Sequence, residues 1–183
     1  LIAFLALSRG HFFTRSDLAS TLWGERASSR TLGSFNTTLW RLRKAVEKPP
    51  LHAGDVITSD KRGAIGMPHD AHCVLDVEEF EKLVLPALVK PIERLDATDV
   101  EHLREGAARY QDDILAGFID DWALREREKQ RRHYFNVLGR LMQISTLAQD
   151  HAGAIGYAQR ILDRDMLRED IHRELMRLLL ANG

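Results

Sequence analysis

The hydrophobic residues of this chain change their spacing at Pro49-Pro50, which limits the folds available to it. Between residues 30 and 46 the apolar positions recur at alternating steps of three and four, which places them along one face of an α-helix. They are Leu32, Phe35, Leu39, Leu42 and Val46. The two prolines cannot continue a helix. Beyond them, residues 55–59 and 64–67 are predicted as strands of a hairpin, with Gly63 supplying a positive φ in the turn.

Two shorter helices are predicted before this one. Residues 1–8 form an apolar segment that ends before Gly10, and Thr14 is placed to cap a second helix. Leu18, Leu22 and Trp23 are expected to form the buried stripe of that second helix. Three helices followed by a hairpin is the element order of a winged helix, whose third helix lies in the major groove of DNA.

The face opposite the apolar stripe of residues 30–46 is polar and basic. Arg41 could donate two hydrogen bonds to a guanine edge, and the other cations could neutralise phosphates. The candidate DNA-binding residues are Arg30, Thr37, Thr38, Trp40, Arg41, Arg43 and Lys44 on the helix, with Lys61 and Arg62 at the hairpin tip. Taken alone, the helix face could be an ordinary solvated basic face and the hairpin tip an ordinary exposed polar turn. A basic helix followed by a basic hairpin tip nevertheless favours DNA binding.

Charge and composition narrow the class of protein. Residues 1–70 carry ten Lys and Arg against six Asp and Glu, whereas residues 71–183 carry 16 against 21, so only the front half favours an anionic partner. The single cysteine excludes an internal disulfide framework, and a cytoplasmic protein is expected. The longest apolar run, residues 1–7, is too short to span a membrane. Residues 69–73 are interpreted as a polar connector, and we expect no metal, no cofactor and no enzyme activity.

Residues after 76 show only helical patterns, so the expected fold class is mostly α. The predicted domains are a winged helix over 1–70, truncated at its start, and an all-α domain over 74–183. Its helices are predicted at 77–88, 98–110 (capped by Thr98), 122–149, 150–162 and 167–181. Small residues at 153–158 indicate a close helix approach of the tetratricopeptide type. The charge run at 125–132 is interpreted as a solvated face. Trp122, Tyr134, Phe135 and Leu138 are assigned to the core that joins the helix pairs.

Several segments together resemble a known family. Residues 1–7, 14–19, 22–23 and 39–44 resemble the winged helix of OmpR-type response regulators, and more specifically that of the Streptomyces antibiotic regulatory protein (SARP) family. Residues 76–80, 110–117 and 168–176, with Trp122 and Arg125, resemble the bacterial transcriptional activator domain that follows it there. Two positions depart from the family pattern: Trp40 stands where a polar or basic residue is usual, and Gly63 is not followed by an aromatic residue.

The resemblance implies further properties. It implies a β-sheet before the first helix, binding to direct repeats near promoters, and recruitment of RNA polymerase. It assigns Thr37 and Arg41 to groove-facing positions and Arg43 to a phosphate contact. The resulting hypothesis is a sequence-specific DNA-binding transcription regulator, expected to be an activator, whose partners are double-stranded DNA and RNA polymerase, with a homodimer left open. The alternative is a helical-repeat interaction module whose winged helix docks protein, which an apolar patch on the third helix would favour.

Overall fold

The computed structural model describes residues 1–24 and 29–182, with the side chains of all these residues except 29–32. Within that part of the chain there are eight α-helices and one three-stranded sheet. The chain divides into two compact units, which are described separately below. The first comprises residues 1–75 together with 119–124, and the second comprises 76–118 and the residues from 125 onward.

The first unit contains three helices and the sheet. Its elements, in chain order, are α1 (Ile2–Leu7), β1 (Phe12–Phe13), α2 (Arg15–Trp23), α3 (Ser29–Val46), β2 (Thr58–Ser59) and β3 (Ile65–Gly66). The strands lie in the order β1-β3-β2 and all pairs are antiparallel. The predicted helices and the hairpin are present, although β2 and β3 are both shorter than the predicted strands. Strand β1 was not predicted, because its partner β3 is distant in sequence and two residues show no periodicity.

Local signals place the ends of the first helices. The Thr14 hydroxyl accepts a hydrogen bond from the Asp17 amide at 3.1 Å, which confirms the predicted cap of α2. Gly10 has a φ of +84°, and its amide donates to the carbonyl of Met67 at 2.8 Å. The prediction that Trp23 is buried was wrong, since 42% of its surface is exposed. Trp23 ends α2 at the rim of the core, where its ring meets Phe35 edge-on with centroids 6.1 Å apart.

The core of the first unit is formed by residues from every one of its elements except β2. Its largest fully buried side chains are Leu5, Leu18, Phe35, Ile57, Ile65 and Met67. The assignment of Trp122 to the core of the helical domain was wrong. Its ring packs edge-on against Phe4 of α1 at 5.4 Å, within the first unit, because residues 119–124 belong to that unit.

The second unit contains helices and connecting loops, with no strand among its described residues. It contains α4 (Asp76–Leu88), α5 (Ala97–Arg109), α6 (Asp121–Leu147, apart from its first residues), α7 (His151–Leu162) and α8 (Glu169–Ala181). The five predicted helices are confirmed, with ends that differ by a few residues. Thr98 is not the cap of α5. Asp96 accepts from the Asp99 amide at 2.8 Å, and Asp99 accepts from the Asp96 amide at 3.1 Å, so the two carboxylates form a reciprocal capping box.

Small residues in the second unit serve different purposes. Ala154 and Ala158 of α7 are fully buried in the core, as predicted. Gly156 was predicted at a close helix approach, but a methyl group there would meet no atom within 4 Å. Gly153 instead leaves room for the carboxylate of Asp150, which accepts its amide hydrogen at 2.9 Å as the cap of α7. The close approach lies at Gly106 of α5, where a methyl group would overlap Val84 of α4.

Candidate nucleic-acid interface

Helix α3 has one buried face and one exposed face, as its residue spacing predicts. Phe35 and Leu39 are buried, and Leu42 and Val46 are half-buried against the same core. The centre of the opposite face presents four exposed residues, and the exposed Trp40 lies at its flank. The four are Gly33, Thr37, Arg41 and Lys44. The side chains of Leu32 and of the candidate Arg30 lie outside the described residues.

The exposed side chains of this face differ in how firmly they are held. The Thr37 hydroxyl donates to the Gly33 carbonyl at 3.3 Å, one turn back along the helix. The Lys44 ammonium lies 4.5 Å from the ring centroid of Trp40, whose side chain is 57% exposed. Arg41 is exposed and forms no hydrogen bond or ion pair with any described residue. Thr38 is half-buried, so of the candidates on α3 it contributes less to the exposed face.

Arg43 lies at the side of α3 that faces the hairpin. Its Nη2 donates to the Ser59 hydroxyl at 3.2 Å, and its Nε is buried without a hydrogen-bond partner among the described residues. One edge of this guanidinium therefore bonds α3 to β2. The phosphate contact that the resemblance implies for Arg43 stays a prediction, and only the part of the group outside this bond is available for it.

The hairpin tip has a defined backbone. One Asp60 carboxylate oxygen accepts from the amides of Arg62 at 2.9 Å and Ala64 at 2.8 Å. The Gly63 amide donates to the Asp60 carbonyl at 3.0 Å, and Gly63 takes the predicted positive φ of +80°. Lys61 and Arg62 are both exposed at this tip. Their cationic groups are thus presented to solvent from an ordered turn.

Glu47, directly after α3, fixes the hairpin beside the helix. One of its carboxylate oxygens accepts from the amides of Val56 at 3.2 Å and Ile57 at 2.9 Å, just before β2. Local spacing does not reveal this role of Glu47, because its two partners lie nine and ten residues further along the chain. Together with the Arg43–Ser59 bond, it holds a polar, cationic helix face next to a tip that carries two more cations. That arrangement is suited to a polyanion.

The prediction that the charge run at 125–132 is a solvated face holds only in part. Arg125, Glu128 and Arg132 are exposed, whereas other members of the run contact other parts of the second unit. Arg127 donates to the carbonyls of Ile114 and Phe118, at 3.0 Å each, and to that of Leu115. Gln130 is buried, and its amide donates to carboxylates of Glu81 and Glu126. The run therefore holds the loop after α5 and the neighbouring helix α4, which leaves little of it for an external partner.

Asp113 is the centre of a second polar cluster in that loop. It accepts hydrogen bonds from Arg131 and from the Tyr110 hydroxyl, the latter at 2.9 Å. Burial opposes ionisation of Asp113, but these bonds and the positive charges of Arg131 and Arg164 keep the pKa of its carboxyl below the ordinary value. The neighbouring Asp112 accepts from the Asp113 amide at 2.8 Å, so both carboxylates help to fix the loop after α5.

Other classes of site find no support in the part of the chain that the structure describes. No three or more His, Cys, Asp or Glu residues are grouped there in a way that could hold a metal ion. The segment 69–73 belongs to the first unit and packs in part against the rest of it, since Ala71 is buried and Arg9 donates to the Cys73 carbonyl at 2.7 Å. None of the described helices combines the length and the apolar character that a membrane span requires.

The fold after residue 75 defines a class of protein. Helix α4 packs against α5, and α7 packs against α8, so the second unit contains helical hairpins of the tetratricopeptide kind. Comparison with protein families matches residues 75–183 to the bacterial transcriptional activator domain. The match covers more than half of the chain, and the chain therefore belongs to this family. No curated protein matches the chain.

Proposed function

We propose that this chain is a sequence-specific DNA-binding transcription regulator of the SARP type, whose first unit is a winged helix. One observation carries the proposal: the exposed face of α3, with Thr37, Arg41 and Lys44, is held beside the Lys61-Arg62 tip by Glu47 and Arg43. The membership of residues 75–183 in the bacterial transcriptional activator domain family supports the regulatory part of the proposal.

In this proposal α3 enters the major groove and the hairpin tip reaches the neighbouring backbone. The Arg41 guanidinium, which has no partner among the described residues, donates two hydrogen bonds to O6 and N7 of a guanine. Thr37 presents its methyl or hydroxyl group to an adjacent base. Lys44 and the two cations of the tip neutralise phosphates, and these contacts position the protein without reading sequence.

The second unit supplies the regulatory function in this proposal. It contacts RNA polymerase or pairs two copies of the chain on repeated DNA sites. The protein then acts in the bacterial cytoplasm, where transcription takes place, and is not an enzyme. Docking of a protein on α3 is the less favoured alternative, because the exposed face carries one apolar side chain, Trp40, among polar and cationic residues.

The proposal is tested by a gel-shift assay of Arg41→Ala. The probe is a duplex that the wild-type protein enriches from a library of random DNA sequences. Loss of one bidentate base contact should weaken binding by about 5- to 150-fold. Arg173→Ala is the matched control, since Arg173 is an exposed arginine on α8 of the second unit, and it should alter binding less than about twofold.

Two outcomes would overturn the proposal. In one, the wild-type protein enriches no duplex from the library at low salt. In the other, Arg41→Ala binds the enriched duplex as the wild type does at both low and high salt. The second result would show that α3 does not read the DNA with this face.

A further inference from the structure

Trp40 is an apolar side chain on the otherwise polar face of α3. It is 57% exposed, and it leaves more apolar surface in water than Trp23, which is 42% exposed and covers part of its ring against Phe35. Burial of apolar surface is favourable, so an apolar group of a partner that covers the exposed indole would contribute to binding. Its neighbours Arg41 and Lys44 restrict which partner can do so, because both carry positive charge.

The position of the Trp40 ring and its contact with Lys44 further limit which partner group could bind it. At about 100° per residue, Trp40 lies between the centre of the exposed face, near Lys44, and the side where Arg43 contacts the hairpin. The Lys44 ammonium, 4.5 Å from the ring centroid, restrains the indole by a cation–π contact. A restrained aromatic ring loses little conformational freedom when a partner binds it.

The major groove offers one apolar group that fits this description. Adenine, guanine and cytosine present hydrogen-bonding edges there, whereas thymine adds its 5-methyl group. We infer that Trp40 is a specificity-determining residue, and that its indole contacts the 5-methyl group of a thymine close to the base that Arg41 reads. The inference rests on the proposed function, since it needs α3 in the major groove.

The test replaces single thymines in the enriched duplex by deoxyuridine, which removes only the methyl group. For the wild-type protein one such replacement should weaken binding by about fourfold, the value expected when contact with one methyl group is lost. In Trp40→Ala the same replacement should have no effect, and overall affinity should fall by at least that factor. Trp40→Phe, which keeps an aromatic ring, should retain part of the deoxyuridine effect.

A matched control separates base reading from charge. Lys61→Gln removes a cation from the hairpin tip, so it should lower both affinity and the salt dependence of binding while keeping the fourfold deoxyuridine effect. Circular dichroism of Trp40→Ala should match the wild type, because an exposed side chain is removed.

The inference and the proposed function fail in different ways. Absence of binding to any duplex would overturn both. Binding to the enriched duplex with no single deoxyuridine effect, or with an effect that persists unchanged in Trp40→Ala, would overturn the role of Trp40 alone. Tight binding without any sequence preference would overturn both the role of Trp40 and the sequence specificity of the proposed function, because no base would then be read.

Discussion

Substitution of Gly106 by alanine tests whether the packing of α4 on α5 is as close as the structure indicates. The added methyl group would overlap Cγ1 of Val84, which is fully buried, and would lie 3.6 Å from the ring of Phe80. Val84 is β-branched and cannot swing away within a helix. Overpacking of this kind costs about 1–3 kcal/mol. Replacing glycine by alanine inside a helix returns up to about 1 kcal/mol, so we expect a net loss of about 1 kcal/mol.

Gly139→Ala is the matched control, because Gly139 lies inside α6 and a methyl group there would meet no atom within 4 Å. It should raise the free energy of unfolding by up to about 1 kcal/mol. Urea unfolding, followed by far-ultraviolet circular dichroism, measures both variants. In a Val84→Ala background the penalty of Gly106→Ala should largely disappear. If Gly106→Ala stabilised the protein as much as Gly139→Ala, the close packing described for α4 and α5 would be wrong.

Two other predictions concern polar groups. Glu47→Ala leaves two backbone amides without their acceptor and should lower the free energy of unfolding by about 1–3 kcal/mol. Its exposed neighbour is the control, and Lys48→Ala should lower the free energy of unfolding by less than about 0.5 kcal/mol. Equal effects of the two substitutions in urea unfolding would contradict the role of Glu47. The folded-state pKa of Asp113 is lowered, so its charge stabilises the fold above its ordinary pKa of 3.8 and loses that effect as the pH falls through the folded-state value. The wild type should therefore exceed Asp113→Asn in stability at pH 7 by more than at pH 3, and a difference that does not shrink on acidification would refute this.

The helices could be predicted because their information is local. The apolar spacing along α3 follows the 3.6-residue period, so the burial of Phe35 and Leu39 and the exposure of Arg41 were both readable from sequence. The turn at Gly63 and the cap at Thr14 likewise depend on a few adjacent residues. Each of these features is specified by residues that are close together in sequence.

The features that sequence reasoning missed depend on distant partners. Strand β1 forms because it pairs with β3. Glu47 has its role because the segment that leads into the hairpin lies beside the end of α3. The contacts of Arg127 within the charge run at 125–132 were missed for the same reason, since the carbonyls that it binds belong to a loop earlier in the chain. Hydrophobicity alone also misplaced Trp23, since it does not say which apolar residues lie at the rim of the core.

Site-specific photocrosslinking tests the central claim most directly, namely that α3 is the surface that meets DNA. A photoreactive amino acid at Thr37, exposed on α3, is compared with the same residue at Asp112, exposed in the second unit. With the enriched duplex bound, we expect a crosslink to DNA from position 37 and none from position 112. Crosslinking from position 112 alone, or from neither position while the duplex is bound, would contradict the account.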